Sequence, residues 1–214
     1  YKLQPEQLRA AITPATKMLM LCSPCNPTGA VYSAQELESL AEVLRSYPNI
    51  WILADEIYEH INFVGAHASM AQIPDMKERV ILINGVSKGY AMTGYRIGYM
   101  AATLELTKAC AKFQGQFTTN SCTISQKAAI CALMGSNECC EQMNQAYRRR
   151  RDLVMAGLTQ IPGIHIGMPE GAFYVFPDVS AFFGKQKGIR RIENDQDLCL
   201  YLLEEAFVST VPGS

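Results

Sequence analysis

Three short apolar runs, each closed by a compact polar cluster, constrain this chain more than any other feature. Lys17 to Cys22 ends on Ser23-Pro24-Cys25-Asn26-Pro27-Thr28-Gly29, Ile50 to Ala54 on Asp55-Glu56, and Val80 to Asn84 on Gly85 and Ser87-Lys88. Short apolar runs bounded by turn residues read as buried strands. Between the first two, Ser33 and Glu36 form an S-x-x-E capping box. The helix it opens repeats Leu37, Leu40, Ala41 and Leu44 at i, i+3, i+4 and i+7, and Pro48-Asn49 stops it. Ile97 to Ala102 is an expected fourth strand. Strands separated by helices in this order imply an α/β fold, a mostly parallel sheet with helices on both faces.

Two helical stretches follow, Leu104 to Met134 with a break near Thr118–Ser121, and Glu138 to Gln160, closed by Pro162-Gly163. Beyond them the texture changes. Ile164 to Ile166 and Ala172 to Phe176 read as short strands among Gly167, Pro169, Gly171 and Pro177, and Phe207 to Val211 as a last strand. Asp195 is the expected N-cap of a helix over Gln196 to Glu205. The expected organisation is therefore residues 1–160 as one unit and 161–214 as the beginning of a second, α+β one.

Composition excludes several functions. Apolar residues make up 49% of the 214 and charged ones 18%, against roughly 25% charged in average soluble domains. Part of the surface is thus expected to meet another subunit. The formal net charge of −1 gives no electrostatic case for nucleic acid or an anionic membrane. Arg148 to Arg151 do not change this, because four consecutive residues on a helix point in all directions. No apolar run approaches the roughly 18 residues of a membrane span, and no signal peptide is visible, so a cytoplasmic protein is expected. Of the eight cysteines only Cys22 and Cys25 form a C-x-x-C. With no second pair at zinc-like spacing, no metal is expected and the thiols read as reduced and mostly buried.

Ligands gather at the carboxyl ends of strands in open parallel sheets. There the sequence puts Asn26, Asp55 with Tyr58, and Lys88, with Arg96 eight residues further on. An amide, a carboxylate, a phenol and an amine converging on one crevice suit pyridoxal phosphate. That cofactor needs a lysine amine for a Schiff base and an anion to keep its ring nitrogen protonated. A phenol and an amide serve its 3-oxygen, and a guanidinium fork suits its phosphate. The glycines at 85, 89, 94 and 98 contain no G-x-G-x-x-G and do not support a dinucleotide site.

Ser23 to Gly29, Ala54-Asp55-Glu56-Ile57-Tyr58 and Ser87-Lys88-Gly89-Tyr90-Ala91-Met92-Thr93-Gly94-Tyr95-Arg96-Ile97-Gly98 resemble, in order and spacing, the signature blocks of class I/II aminotransferases. The resemblance runs the length of the chain. It implies the aspartate aminotransferase fold, pyridoxal 5'-phosphate as cofactor and a homodimer. It also implies roles by position. Lys88 bonds the cofactor and shuttles the substrate's proton, Asp55 pairs with the ring nitrogen, and Tyr58 and Asn26 serve the 3-oxygen. Arg96 binds phosphate. Ser87 is a further phosphate candidate, although the family often places its serine three residues before the lysine, where this chain has Gly85.

The expected activity is transfer of an amino group between an amino acid and a 2-oxo acid, of the aspartate or aromatic type. The same fold also runs C–S β-elimination, which is the first alternative. A non-catalytic piece or binding module is the second. By resemblance, the family's substrate-carboxylate arginine and an N-terminal phosphate loop would lie beyond Ser214 and before Tyr1, so the chain reads as a fragment incomplete for catalysis.

Overall fold

The three apolar runs do form adjacent parallel strands. The computed structural model describes residues 1–187 and 190–214. Strands β1 (Met18–Cys22), β2 (Trp51–Asp55), β3 (Val80–Gly85) and β4 (Gly98–Ala101) make one sheet in that order. β1 and β2 run parallel with Met18 beside Trp51 and Cys22 beside Asp55, and β2 runs parallel to β3. The edge strand β4 is antiparallel to β3, as a return through the short Val86–Ile97 segment requires.

The core lies on one face. After a first helix α1 (Pro5–Ala11), the helix α2 (Ala34–Arg45) begins at the predicted box: Glu36 N–H donates to Ser33 Oγ at 3.2 Å and Ser33 N–H to Glu36 Oε2 at 2.8 Å. Its Leu37, Leu40, Ala41, Val43 and Leu44 are buried against Leu21, Ile52, Ala54 and Val80 of the sheet, with Leu8, Met70 and Met76 around them. Each fully buried leucine contributes about 1.5–3 kcal/mol. Arg79 closes the far end, donating to the carbonyls of Leu44 in the last turn and of Tyr47 and Ile50 in the loop that follows.

Three helices follow: α3 (Leu104–Phe117), α4 (Thr123–Met134) and α5 (Glu138–Leu158). The predicted break at Thr118–Ser121 separates α3 from α4, and Thr119 there adopts a left-handed φ of 59°. The arginine run in α5 is bonded rather than free. Arg148 donates to the Phe63 carbonyl, and Arg151 to the Pro169 carbonyl at 3.0 Å with its guanidinium 4.8 Å from the Phe63 ring. Among the described residues no helix is long and apolar enough to cross a membrane.

The later part departs from expectation. Residues 164–166 and 172–176 are not strands; isolated bridges join His165 to Asp178 and Gly171, just before the second run, to Asn62. Phe207 to Val211 is irregular and largely exposed. A strand needs a neighbour to satisfy its backbone, and β propensity alone does not supply one. A short hairpin, β5 (Gln186–Lys187) with β6 (Arg190–Arg191), precedes α6 (Asp195–Ala206). That helix is capped one residue earlier than expected, by Asn194 Oδ1 accepting from Asp197 N–H at 2.9 Å. Asp195 instead accepts from the backbone N–H groups of Gly213 and Ser214. All eight thiols are free, but only Cys140 is buried, which corrects the expectation of mostly buried cysteines. Cys122, Cys131 and Cys139 sit in or beside α4 and α5, whose described faces are largely exposed.

Candidate active site

The carboxyl ends of β1, β2 and β3 lie along one edge of the sheet, and there Tyr58, after β2, comes close to Lys88, after β3. Asp55 is the last residue of β2, beside Cys22 of β1. Its Oδ1 accepts from the Ile57 N–H at 3.2 Å, which starts the turn that brings Tyr58 back over the strand end. The Tyr58 side chain is 3% exposed. Burial, with the nearby Asp55 charge, pushes the Tyr58 phenol well above its ordinary range.

Lys88 follows β3 in a tight turn held by Ala91 N–H donating to the Lys88 carbonyl at 3.2 Å and Met92 N–H to that of Val86 at 3.3 Å. The next residue has to be glycine, because a Cβ at Gly89 would stand 2.6 Å from His60 Cδ2. The Lys88 amine lies 5.8 Å from the centre of the Tyr58 ring and 5.6 Å from that of Phe173. These are cation–π distances. Phe173 and Tyr174 meet Tyr58 edge-on at 5.4 and 5.8 Å, and the Tyr58 and Tyr174 hydroxyls are 2.6 Å apart.

Backbone bonds explain how so distant a segment arrives there. The Glu170 and Gly171 N–H groups both donate to the Gly29 carbonyl, at 2.8 and 2.9 Å, and Ala172 N–H donates to Ile61 at 2.8 Å. Gly171 lies between the two loops with no room for a side chain: its Cβ would meet Pro24 Cβ at 2.7 Å and the Ile61 carbonyl at 2.8 Å. Gly29, at φ 70°, fits under Pro169 in the same way. The segment 169–174 therefore ties the Asn26 loop to the Tyr58 loop and delivers two aromatic rings between them.

The remaining predicted residues stand apart from this aromatic cage. Asn26 is exposed at the tip of its loop, its carbonyl 3.5 Å from the Cys25 thiol. Ser87 is half-buried beside Lys88. Arg96 is exposed, with a left-handed φ of 55°, and its Nη1 donates back to the Thr93 carbonyl at 2.9 Å. The Cys25 thiol is drawn down to about 5, chiefly by the Cys22 thiol, against burial and with help from Thr28.

Sequence reading missed three participants. Phe173 and Tyr174 read from the sequence as a core strand, which the resemblance puts near the mouth of the site without assigning it a role, and Tyr174 finds its partner Tyr58 116 residues away. Glu56, one residue past Asp55, turns the other way into the interior, 4% exposed, where Ser69 Oγ donates to it at 2.5 Å and His67 Nε2 lies 2.8 Å off. The Glu56, Glu59 and His67 groups come within 4.8 Å of one another, but both oxygens of Glu56 already have protein partners.

Known proteins are similar to this chain in sequence and fold. Residues 1–214 match the profile of the family described as aminotransferase class I and II. The chain is 46% identical to an aspartate aminotransferase of Rhizobium meliloti (strain 1021), over 100% of this chain and 53% of that protein. It is also 46% identical to an aspartate/prephenate aminotransferase of Cereibacter sphaeroides, over 100% of this chain and 54% of that one. The chain thus spans about half the length of these relatives. The crystal structure of the Rhizobium meliloti enzyme superimposes with a TM-score of 0.93 over 99% of this chain and 54% of its own, at 46% identity. An aromatic aminotransferase from Pyrococcus horikoshii OT3 gives 0.88 over 100% and 55%, at 35% identity. With a mostly parallel sheet that carries all three motif loops at one edge, the chain belongs to the class I and II aminotransferase family.

Proposed function

We propose that the protein is a pyridoxal-phosphate-dependent aminotransferase, moving an amino group between an amino acid and a 2-oxo acid with an aspartate- or aromatic-type preference. The observation that carries this reading is the Lys88 amine held 5.8 Å from the Tyr58 ring at the sheet edge where Asp55 ends its strand. The names of the relatives, aspartate and aspartate/prephenate aminotransferases, support the substrate class.

The residues present fit the cofactor. Among the described residues Lys88 makes no ion pair, so its amine is uncommitted, and Tyr58, Phe173 and Tyr174 give the flat apolar walls that a planar ring needs. Bound pyridoxal phosphate would supply the electron sink that makes the substrate's α-proton removable. Lys88 Nζ would hold the cofactor and move the substrate's α-proton. The Asp55 carboxylate would supply a negative charge for the ring nitrogen. The Tyr58 hydroxyl and the Asn26 amide would serve the 3-oxygen, and Ser87 and Arg96 the phosphate. For Arg96 this means exchanging the Thr93 carbonyl for phosphate oxygens, a stronger, charge-assisted partner.

The test is addition of pyridoxal phosphate to wild type and Lys88→Ala, with visible absorbance, borohydride reduction and peptide mapping. Wild type is expected to trap the cofactor on the Lys88 peptide and the variant to trap none. An equal adduct in the variant overturns the assignment. Incubation with aspartate or with cysteine separates the chemistries. A keto acid coupled to glutamate formation marks transamination, while pyruvate with free ammonia marks β-elimination.

A further inference from the structure

We infer that Tyr174 is a positioning residue that fixes the direction of the Tyr58 hydroxyl proton, pointing it at the anionic oxygen of a bound ring. The inference rests on the reading of the site as a pyridoxal-phosphate site.

A tyrosine hydroxyl has one proton and two acceptor positions. The Tyr58 and Tyr174 oxygens are 2.6 Å apart, a short bond in which only one of the two donates. Were Tyr58 the donor, its proton would be used on Tyr174 and unavailable to a ligand. With Tyr174 donating, the Tyr58 proton is free to point away into the crevice, and the two hydroxyls form a directed chain, Tyr174 to Tyr58 to the ligand oxygen. Chained hydrogen bonds polarise and strengthen one another in a low-dielectric site. An anionic oxygen at the end of the chain selects this direction, because it accepts and cannot donate.

The surroundings hold the pair in register. Tyr58 is 3% exposed, and the Phe173 ring packs edge-on against it at 5.4 Å and against Tyr174 at 4.7 Å. Tyr174 itself is fixed because Ala172 N–H bonds the Ile61 carbonyl, three residues past Tyr58, at 2.8 Å. The hydroxyl that orients Tyr58 is thus built onto the same loop by backbone bonds, from a segment 116 residues away in sequence.

The experiment is a double-mutant cycle with Tyr58→Phe, Tyr174→Phe and both, each titrated with pyridoxal phosphate and then scanned in pH by visible absorbance. Phenylalanine keeps either ring in place, and thermal melts report whether the fold is kept. Tyr174→Phe is expected to weaken cofactor binding about tenfold and to raise the pH at which the bound cofactor changes colour. In the Tyr58→Phe background it should add nothing further. Tyr147→Phe, in the same aromatic cluster, should leave that pH unchanged. Equal effects of Tyr174→Phe with and without Tyr58, or no colour shift at all, overturn the positioning role. A melt lowered without a colour shift does so too, since packing alone would explain it. Wild type that takes up no cofactor overturns the site reading itself, and is recognised by failing before any variant is compared.

Discussion

Glu56 Oε2 lies 2.8 Å from His67 Nε2 inside the protein, one residue beyond the carboxylate assigned to the cofactor. Successive residues of an extended chain face opposite ways, so Asp55 reaches the crevice while Glu56 enters the interior. There it fastens the 59–69 loop, through His67 and Ser69, to the end of β2. A buried carboxylate is tolerated only when its lone pairs are filled, and this one has a donor at each oxygen. Glu56→Ala should therefore destabilise the protein by about 3 kcal/mol, the scale for breaking a buried polar pair and orphaning its partner. Urea unfolding measures it. A loss under 1 kcal/mol would mean that the loop is held by its other contacts.

Gly171 is the point where the Asn26 loop and the Tyr58 loop touch the aromatic segment. Its missing side chain would sit 2.7 Å from Pro24 Cβ and 2.8 Å from a backbone carbonyl, neither of which is a flexible tip. Gly171→Ala is expected to cost about 1–3 kcal/mol of stability from overpacking and to weaken cofactor binding by displacing Phe173 and Tyr174. Cofactor titration alongside a thermal melt tests both. A stable variant with unchanged cofactor affinity would show that the loops yield.

Cys25 should be the thiol that alkylates at mildly acid pH. Its value of about 5 comes first from the neighbouring Cys22 thiol, with Thr28 assisting, which favours the nucleophilic thiolate. Iodoacetamide at pH 6 followed by peptide mass mapping should find the label on the Cys25 peptide. Cys22→Ala removes that neighbour and should slow the labelling several-fold. An unchanged rate would assign the acidity to the Thr28 turn instead.

The Lys2, Glu36 and Glu170 cluster ties the N-terminal segment to the cap of α2 at 3.0 and 3.2 Å. Burial raises the Glu36 carboxyl, but the Ser33 N–H and the Lys2 ammonium outweigh it and leave it below its ordinary value. Its contribution is complete above the ordinary carboxylate range, near 4.3, and disappears as pH falls through the lower folded value. Burial likewise opposes the Lys2 charge, and the two glutamates outweigh it, so the Lys2 pKa is raised. Its contribution is complete below 10.5 and is lost as pH rises through the higher folded value. Solvent exposure of about two-fifths of the carboxylate side chains limits the whole to about 1 kcal/mol. Urea midpoints should thus be flat between pH 5 and 10 on account of this cluster, and Glu36→Gln should flatten the acid limb. An acid limb identical in the variant would remove Glu36 from the account.

Sequence alone determined the features whose causes lie within a few residues. The apolar runs, the Ser33–Glu36 box, the helix break at Thr118–Ser121 and the polar clusters after each strand are local, and parallel strands necessarily bring those clusters to one edge. Tertiary structure decided the rest. Phe207 to Val211 has strand composition but, among the described residues, no strand beside it, and Asn194 caps α6 while Asp195 accepts from Gly213 and Ser214. Phe173, beside Lys88, and Tyr174, beside Tyr58, read locally as a core strand that only the family resemblance puts near the site, and no local signal gives them their partners. Only the return of the chain across the Gly29 and Ile61 carbonyls brings Tyr174 to Tyr58, because hydrogen-bond partners are chosen by space and not by sequence distance.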